Sequence, residues 1–192
     1  MTLPRALLLP LLVATPAWAQ ATTMFPHAED APYSVSGQLN VITQAHPMFR
    51  APYSGPFSLA PGAEAATSFV GTLYTTFSLA RWTEGAIHLE MAAGGGIGSA
   101  LGLAGFTNLD VVRNPTLGAE PYLARAVLRQ ILPLSEDTVE VPRSALGLAR
   151  RVPARRLELR LGKMSTADFF DVNAVGGDSH QQFMNWTVDS NG

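Results

Sequence analysis

The sequence has no cysteine and few charged residues, and both absences narrow the class of protein. Without cysteine, the 192-residue chain forms no disulfide to hold a small secreted fold together and offers no thiolate to a metal ion. Charged residues amount to 15%, with a formal net charge of -2, which excludes a strongly basic nucleic-acid-binding protein. The 47% of hydrophobic residues give no sign of disorder, and the length is sufficient for one domain.

The chain also lacks long apolar runs and clustered metal ligands. Beyond residue 20 it has no apolar run near the roughly 20 residues that a membrane-spanning helix needs. The exported chain is therefore expected either to be soluble or to enter a membrane as β-strands. Its histidines lie far apart without metal-ligand spacing, so neither a metal nor another cofactor is predicted. They are His27, His46, His88 and His180.

The first residues have the pattern of a secretory signal peptide. Arg5 supplies the short positive region, residues 6–14 are apolar apart from Pro10, and residues 17–19 form a small-x-small cleavage site. This predicts a signal peptide over residues 1–19, which is too short to span a bilayer as a helix. Residues 20–32 show no periodicity and are interpreted as an N-terminal linker or plug segment.

Most of the remaining chain alternates polar and apolar side chains, as β-strands do when their two faces meet different surroundings. In residues 156–162, three leucines at alternate positions oppose two arginines and a glutamate. Several segments approach the 9 to 11 residues of a tilted membrane strand. The sequence therefore predicts an all-β, antiparallel fold. The predicted strands are 33–46, 67–82, 86–93, 120–132, 156–162 and 181–188.

Residues 120–132 fit a helix about as well as a strand. Arg125 and Arg129 share a face with Leu123, Val127 and Ile131, so the alternation is weak, and the same residues also fit a 3.6-residue period. The neighbouring strands favour a strand here.

The predicted connections differ in length. Residues 47–66 and 94–119 are long and rich in Gly and Pro, whereas the predicted turn at 83–85 is tight. Long loops at one end and short turns at the other are typical of an outer-membrane barrel. Residues 133–153 are too long for this layout, which indicates an insertion or a miscounted strand. Tyr33 and Trp82, near strand ends, are expected in an aromatic girdle, as is Trp186.

Five segments, in order across residues 33–192, resemble the carbohydrate-selective outer-membrane porin family, often called OprB-like. They are 46–55 (HPMFRAPYSG), 102–108 (GLAGFTN), 122–130 (YLARAVLRQ), 161–171 (LGKMSTADFFD) and 182–186 (QFMNW). The resemblance implies an antiparallel transmembrane β-barrel of about sixteen strands in the outer membrane of a Gram-negative bacterium. It further implies carbohydrates as permeating solutes, outer-membrane lipid as a partner, and a possible homo-oligomer.

The chain departs from that family because its alternation supplies only about six strands. Asn191-Gly192 is a strong hairpin signal, yet no return strand follows it. An open sheet edge in hydrocarbon leaves backbone groups unpaired. Residues 33–192 are therefore expected to be the N-terminal part of a longer barrel.

A set of charged residues is predicted to line the pore and contact sugars. Fixed charges can form directed hydrogen bonds with hydroxyl groups, although the same charges could simply hydrate and stiffen the inner wall. The loop 94–119 could fold inward and narrow the channel, or remain a mobile external loop. The predicted pore-lining residues are Glu90, Arg125, Arg129, Glu158 and Arg160.

Two other functions remain open on the sequence alone. Asp168 and Asp171 could be paired carboxylates for glycoside hydrolysis, but capping of a tight loop is the favoured interpretation, so no enzyme is predicted. An exported sandwich that binds glycans without transporting them would instead bury its apolar faces against each other.

Overall fold

A computed structural model describes residues 25, 27–28, 30–56, 58–100 and 119–170. Two short 3-10 helices, Ile97–Ala100 and Thr166–Asp168, accompany the strands, and no α-helix occurs in these ranges. Within them, no helix is long and apolar enough to cross a membrane. The strands are β1 (Tyr33–His46), β2 (Glu64–Ala80), β3 (Thr83–Gly94), β4 (Tyr122–Pro133), β5 (Thr138–Val141), β6 (Arg150–Pro153) and β7 (Arg156–Lys163).

Five strands form one antiparallel sheet in the order β1-β2-β3-β4-β7. The prediction of an all-β, antiparallel fold is confirmed, and β1 has the predicted bounds. The ambiguous segment 120–132 is a strand, because β4 pairs along its length with β3 on one side and β7 on the other. The predicted signal peptide and the predicted strand 181–188 lie outside the described residues.

The tight turn lies two residues earlier than predicted. Thr83 already pairs with Ala80, so Arg81 and Trp82 form the turn and residues 83–85 belong to β3. Gly85 favoured a turn in the sequence, but the structure gives another reason for a glycine at this position. A Cβ at Gly85 would lie 2.5 Å from the ring of Phe77, its partner on β2, so that ring needs a residue without a side chain opposite it.

Residues 134–155, between β4 and β7, form an insertion. It contains the small antiparallel hairpin of β5 and β6, in which Val139 pairs with Val152. Leu134 donates its backbone N–H to the carbonyl of Arg155 at 2.9 Å, which continues the β4–β7 pairing past the strand ends. The sequence indicated an extra segment here but missed both strands.

A bulge in β4 corrects the predicted assignment of its faces. His88 pairs with Arg125 and Leu89 pairs with Leu123, so Ala124 has no partner in the register. On a regular strand, Leu123 and Arg125 would share a face because they are two positions apart. The extra residue instead turns Leu123 to the opposite face. The expected presence of Leu123 on the arginine face is therefore wrong, and Tyr122 lies on that face instead.

The two faces of the sheet have an inverted pattern of burial. On one face, here called the polar face, Glu84, His88 and Glu90 are buried together with hydroxyl-bearing residues of β1 and β2. The opposite face, here called the apolar face, exposes its large side chains, and Leu39 and Leu161 are about three-quarters exposed. Burying polar groups while leaving apolar ones open is the reverse of an ordinary soluble sheet. The exposed members are Tyr33, Leu39, Val41, Leu79, Ile87, Leu89, Leu123, Leu128, Leu132, Leu157, Leu159 and Leu161.

Gly162 in β7 provides a test of this sheet. Its φ is +136°, and an added Cβ would lie 2.0 Å from the carbonyl oxygen of Ala126 on β4. We expect Gly162→Ala to destabilise the protein by about 1 to 3 kcal/mol, because both the backbone conformation and the strand spacing must change. Urea denaturation of the purified protein measures the effect. Gly62→Ala is the control, since nothing lies within 4 Å of its added Cβ, and equal stability of the two variants would contradict the register.

Candidate functional site

The candidate site is a group of charged side chains on the polar face. It lies at the end of the sheet that carries the Arg81–Trp82 turn, here called the short-turn end. Adjacent strands bring them together, because residues at alternate positions of β3, β4 and β7 project from the same face. Arg150 joins them from the insertion. This charge cluster comprises Glu84, Arg129, Arg150, Arg156, Glu158 and Arg160.

Glu84 lies between two guanidinium groups and is 1% exposed. Its Oε2 accepts from Nη1 of Arg129 at 3.0 Å, and its Oε1 accepts from Nη1 of Arg150 at 2.6 Å. Arg129 is on the neighbouring strand β4, whereas Arg150 begins β6 of the insertion. One carboxylate therefore fastens the insertion to the sheet.

Glu158 joins the remaining arginines. Arg129 approaches it with two nitrogens, Nη2 at 2.8 Å and Nε at 3.1 Å, in the forked geometry that suits a carboxylate. Arg156 donates from Nε at 2.6 Å and Arg160 from Nη2 at 2.9 Å. Four guanidinium groups thus surround two carboxylates, which leaves a formal charge of +2 on the charge cluster.

Glu90 belongs to a separate chain of hydrogen bonds farther along the polar face. The Thr72 hydroxyl donates to its Oε2 at 2.9 Å, the Tyr122 hydroxyl donates to its Oε1, and Gln38 donates to Thr72 at 3.3 Å. These bonds connect β1, β2, β3 and β4 in one row. Glu90 is 5% exposed, so its carboxylate is engaged mainly in hydrogen bonds within the protein.

Arg125 forms a two-point ion pair with Asp168, from Nε to Oδ2 at 2.8 Å and from Nη2 to Oδ1 at 2.5 Å. Asp168 Oδ2 also accepts from the backbone N–H of Ser165 at 2.9 Å, which completes a capping box on Thr166–Asp168. Burial alone would raise the pKa of Asp168. Hydrogen bonds from Arg125 and Ser165, with the charge of Arg125, outweigh it and hold that pKa below its ordinary value.

The insertion covers this part of the polar face. The carbonyl oxygen of Ala145 accepts hydrogen bonds from the Thr76 hydroxyl at 3.1 Å and from His88 Nε2 at 2.8 Å. Thr76 and His88 lie within β2 and β3, well inside the strand ends. Beside Ala145, a Cβ at Gly147 would lie 3.2 Å from Arg129 Nη1.

The structure brings three of the five predicted site residues, Arg129, Glu158 and Arg160, into one cluster. Glu90 and Arg125 share their polar face but lie in the two other networks. The predicted site omitted Glu84, Arg150 and Arg156, although Arg156 was expected on the same face of its strand as Glu158. Glu84 was assigned to a turn, and its alternation with His88 and Glu90 was the available signal; Arg150 gave none, because its partner is 66 residues away.

Other predicted features have mixed outcomes. Asp168 caps a tight loop, as favoured, while Asp171 lies outside the described residues. Tyr33 is half exposed at the start of β1, whereas Trp82 lies in the turn with the Arg81 guanidinium 4.8 Å from its ring centroid. Most of the loop 94–119 and Trp186 are not described. In the described ranges, no group of three or more His, Asp or Glu side chains is arranged to hold a metal ion.

Glu84 offers a direct test of the charge cluster. We expect Glu84→Gln to lower the free energy of unfolding by about 3 to 5 kcal/mol, because the buried Arg129 and the partly exposed Arg150 lose their shared counter-charge. The matched control is Glu140→Gln in β5, whose carboxylate is 79% exposed and pairs with Arg151 at 3.3 Å; its loss should cost under about 1 kcal/mol. Chemical denaturation measures both, and equal losses would refute the central position of Glu84.

Asp168 predicts a pH dependence. Because its pKa is lower in the folded protein, its stabilising contribution is complete above the ordinary value of 3.8 and is lost as the pH falls through the folded-state pKa. The stability difference between the wild type and Asp168→Asn should therefore be constant near neutral pH and shrink in acid. Urea denaturation at a series of pH values measures it. A difference that grows in acid would contradict the ion pair.

Comparison with known proteins assigns no family to this chain. No family model, no curated protein and no solved structure matches it.

Proposed function

We propose that this protein is part of an outer-membrane β-barrel porin that lets carbohydrates diffuse passively across the outer membrane. The observation that carries the proposal is the inverted burial of the sheet. In a transmembrane barrel, apolar side chains project outward to lipid and polar side chains project into the lumen. The resemblance of five sequence segments to carbohydrate-selective porins supplies the solute class.

Strand length supports a membrane location. β1, β2, β3 and β4 have 14, 17, 12 and 12 residues, whereas a tilted transmembrane strand needs about 9 to 11. They are neighbours in a simple up-and-down order. Strands of ordinary globular domains are usually about half as long.

The proposal requires additional strands. Among the described strands, β1 pairs only with β2, and β7 pairs only with β4. Each outer strand therefore has an edge whose N–H and C=O groups need partners inside a bilayer. In the proposed barrel, further strands, starting with the one predicted over residues 181–188, satisfy the β7 edge.

The charge cluster supports sugar contact by some of the predicted residues. The Arg129 side chain is only 8% exposed, and both its carboxylate partners hold it in place. Arg160 is 31% exposed and stacks on Phe169, with 4.7 Å between its guanidinium carbon and the ring centroid. A donor group beside an aromatic surface suits a neutral sugar, which offers hydroxyls and an apolar ring face. We therefore assign sugar contact to Arg160 and a supporting role to Arg129.

A planar-bilayer experiment tests this function. The full-length barrel that contains this chain should form channels whose current is blocked by mono- or oligosaccharides added to the bath. Arg160→Ala should weaken the affinity of the blocking sugar by about tenfold, since one charge-assisted hydrogen bond is lost. Arg151→Ala is the matched control, because that arginine is on the exposed side of the hairpin and 65% exposed.

Three outcomes of this experiment are informative. Channels that sugars do not block would contradict the solute class, and equal block in Arg160→Ala would assign this arginine to the scaffold. If instead the protein is soluble without detergent, forms no channel and binds glycans, the alternative of a glycan-binding sandwich is correct. That alternative requires a second layer over the apolar face, and none of the described residues provides one.

A further inference from the structure

The insertion is folded onto the polar face rather than projecting away from the sheet. Ala145, at its tip, reaches Thr76 and His88, which pair with Ala86 and Arg125 in the interior of the sheet. His88 is the sixth residue of β3, counted from Thr83 at the short-turn end. At a rise of about 3.3 Å per residue, a tip at His88 lies well inside the strand ends.

Three kinds of contact hold the insertion in this position. The Ala145 carbonyl accepts from two side chains of the sheet, and Arg150 binds Glu84 at 2.6 Å and the Arg81 carbonyl. Leu148 and Val152 are at most 3% exposed and so anchor it by burial of apolar surface. These contacts come from the tip and from residues 148–152, so the tip and β6 are held against the sheet.

The outer side of the hairpin differs from the inner side. Arg151 and Glu140 form an exposed pair at 3.3 Å, with side chains 65% and 79% exposed. In β6, Arg150 and Val152 therefore lie on the side that faces the sheet, whereas Arg151 lies on the side away from it. The hairpin presents an ordinary solvated surface on the side away from the sheet.

We propose that residues 134–155 are a resident plug that sets the upper size limit for solutes at the short-turn end of the pore. The inference rests on the proposed function, because a plug needs a lumen to fill. If the polar face lines that lumen, a segment lying on it occupies part of the channel cross-section. The plug then excludes large oligosaccharides at the short-turn end, while the opposite end of the sheet remains free of it.

The chain offers a clean way to remove the plug. Leu134 and Arg155 are already hydrogen-bonded neighbours, so residues 135–154 can be replaced by Asn-Gly, which closes a two-residue hairpin in the existing β4–β7 register. We expect this deletion to raise single-channel conductance by at least about twofold, since it clears the part of the channel cross-section that the insertion occupies. It should also admit neutral polyethylene glycols larger than those that enter the wild-type channel.

A second variant covers the case in which the deletion does not fold. Thr76→Val combined with His88→Phe removes both donors to Ala145 but leaves the Glu84 ion pairs intact. This loosened plug should raise the polyethylene glycol size limit in the same direction, by a smaller amount. Arg151→Ala is the control and should leave both conductance and size limit unchanged.

The outcomes separate the plug from the channel. If the wild type forms channels and the deletion variant has the same conductance and size limit, the plug is refuted and the porin function stands. If the deletion variant does not fold, the double variant takes its place in this comparison. Absence of any channel in the wild-type full-length barrel would refute the proposed function and the plug with it. A higher conductance together with a larger size limit confirms the plug.

Discussion

The ion pairs of Glu84 are the interaction on which the charge cluster and the position of the insertion depend. A carboxylate that is 1% exposed must be matched by positive charge, because an unpaired charge in a buried position costs several kcal/mol. Arg129 supplies one match from the adjacent strand, and Arg150 supplies the other from the insertion. Glu84 thereby fixes the sheet, the insertion and, through Arg129, the arginines around Glu158. The charge cluster is one connected network rather than a set of independent surface pairs.

Separate hydrogen-bond networks explain why the sheet can bury the rest of its polar face. Hydroxyl and carboxylate groups satisfy one another in rows that run across the strands, as in the series Gln38, Thr72, Glu90 and Tyr122. The apolar face has no such internal partner, and the large side chains of every strand of the sheet remain exposed there. In the proposed barrel, lipid chains cover them.

The sequence predicted the sheet well because its signal is local. Alternation fixes which residues share a face, and it was sufficient for β1, β3 and β7, where Leu159 and Arg160 occupy opposite faces as expected. It failed in β4, because the bulge at Ala124 changes the face of Leu123 without any visible signal in the residue types. It also failed at Gly85, where a glycine required by the ring of Phe77 was interpreted as a turn.

The candidate site was only partly predictable, for a different reason. Arg129, Glu158 and Arg160 belong to strands with clear alternation, so their common face followed from the pattern. Arg150 does not, because β5 and β6 have four residues each and its contact with Glu84 spans 66 positions. No period in a sequence encodes where an insertion will fold. The covering of the polar face is therefore a tertiary property that only the structure reveals.

The central claim is that the apolar face meets lipid while the polar face meets water. Adjacent residues of β7 test it most directly, since Leu159 and Arg160 lie on opposite faces and the chain has no natural cysteine to compete for labelling. Leu159→Cys and Arg160→Cys, each carrying an environment-sensitive fluorophore, are compared in the full-length barrel after reconstitution into lipid vesicles. The account predicts that lipid-attached nitroxide quenches only the label at 159, while iodide quenches the label at 160. Quenching of both labels by iodide, with no effect of the lipid nitroxide, would contradict it.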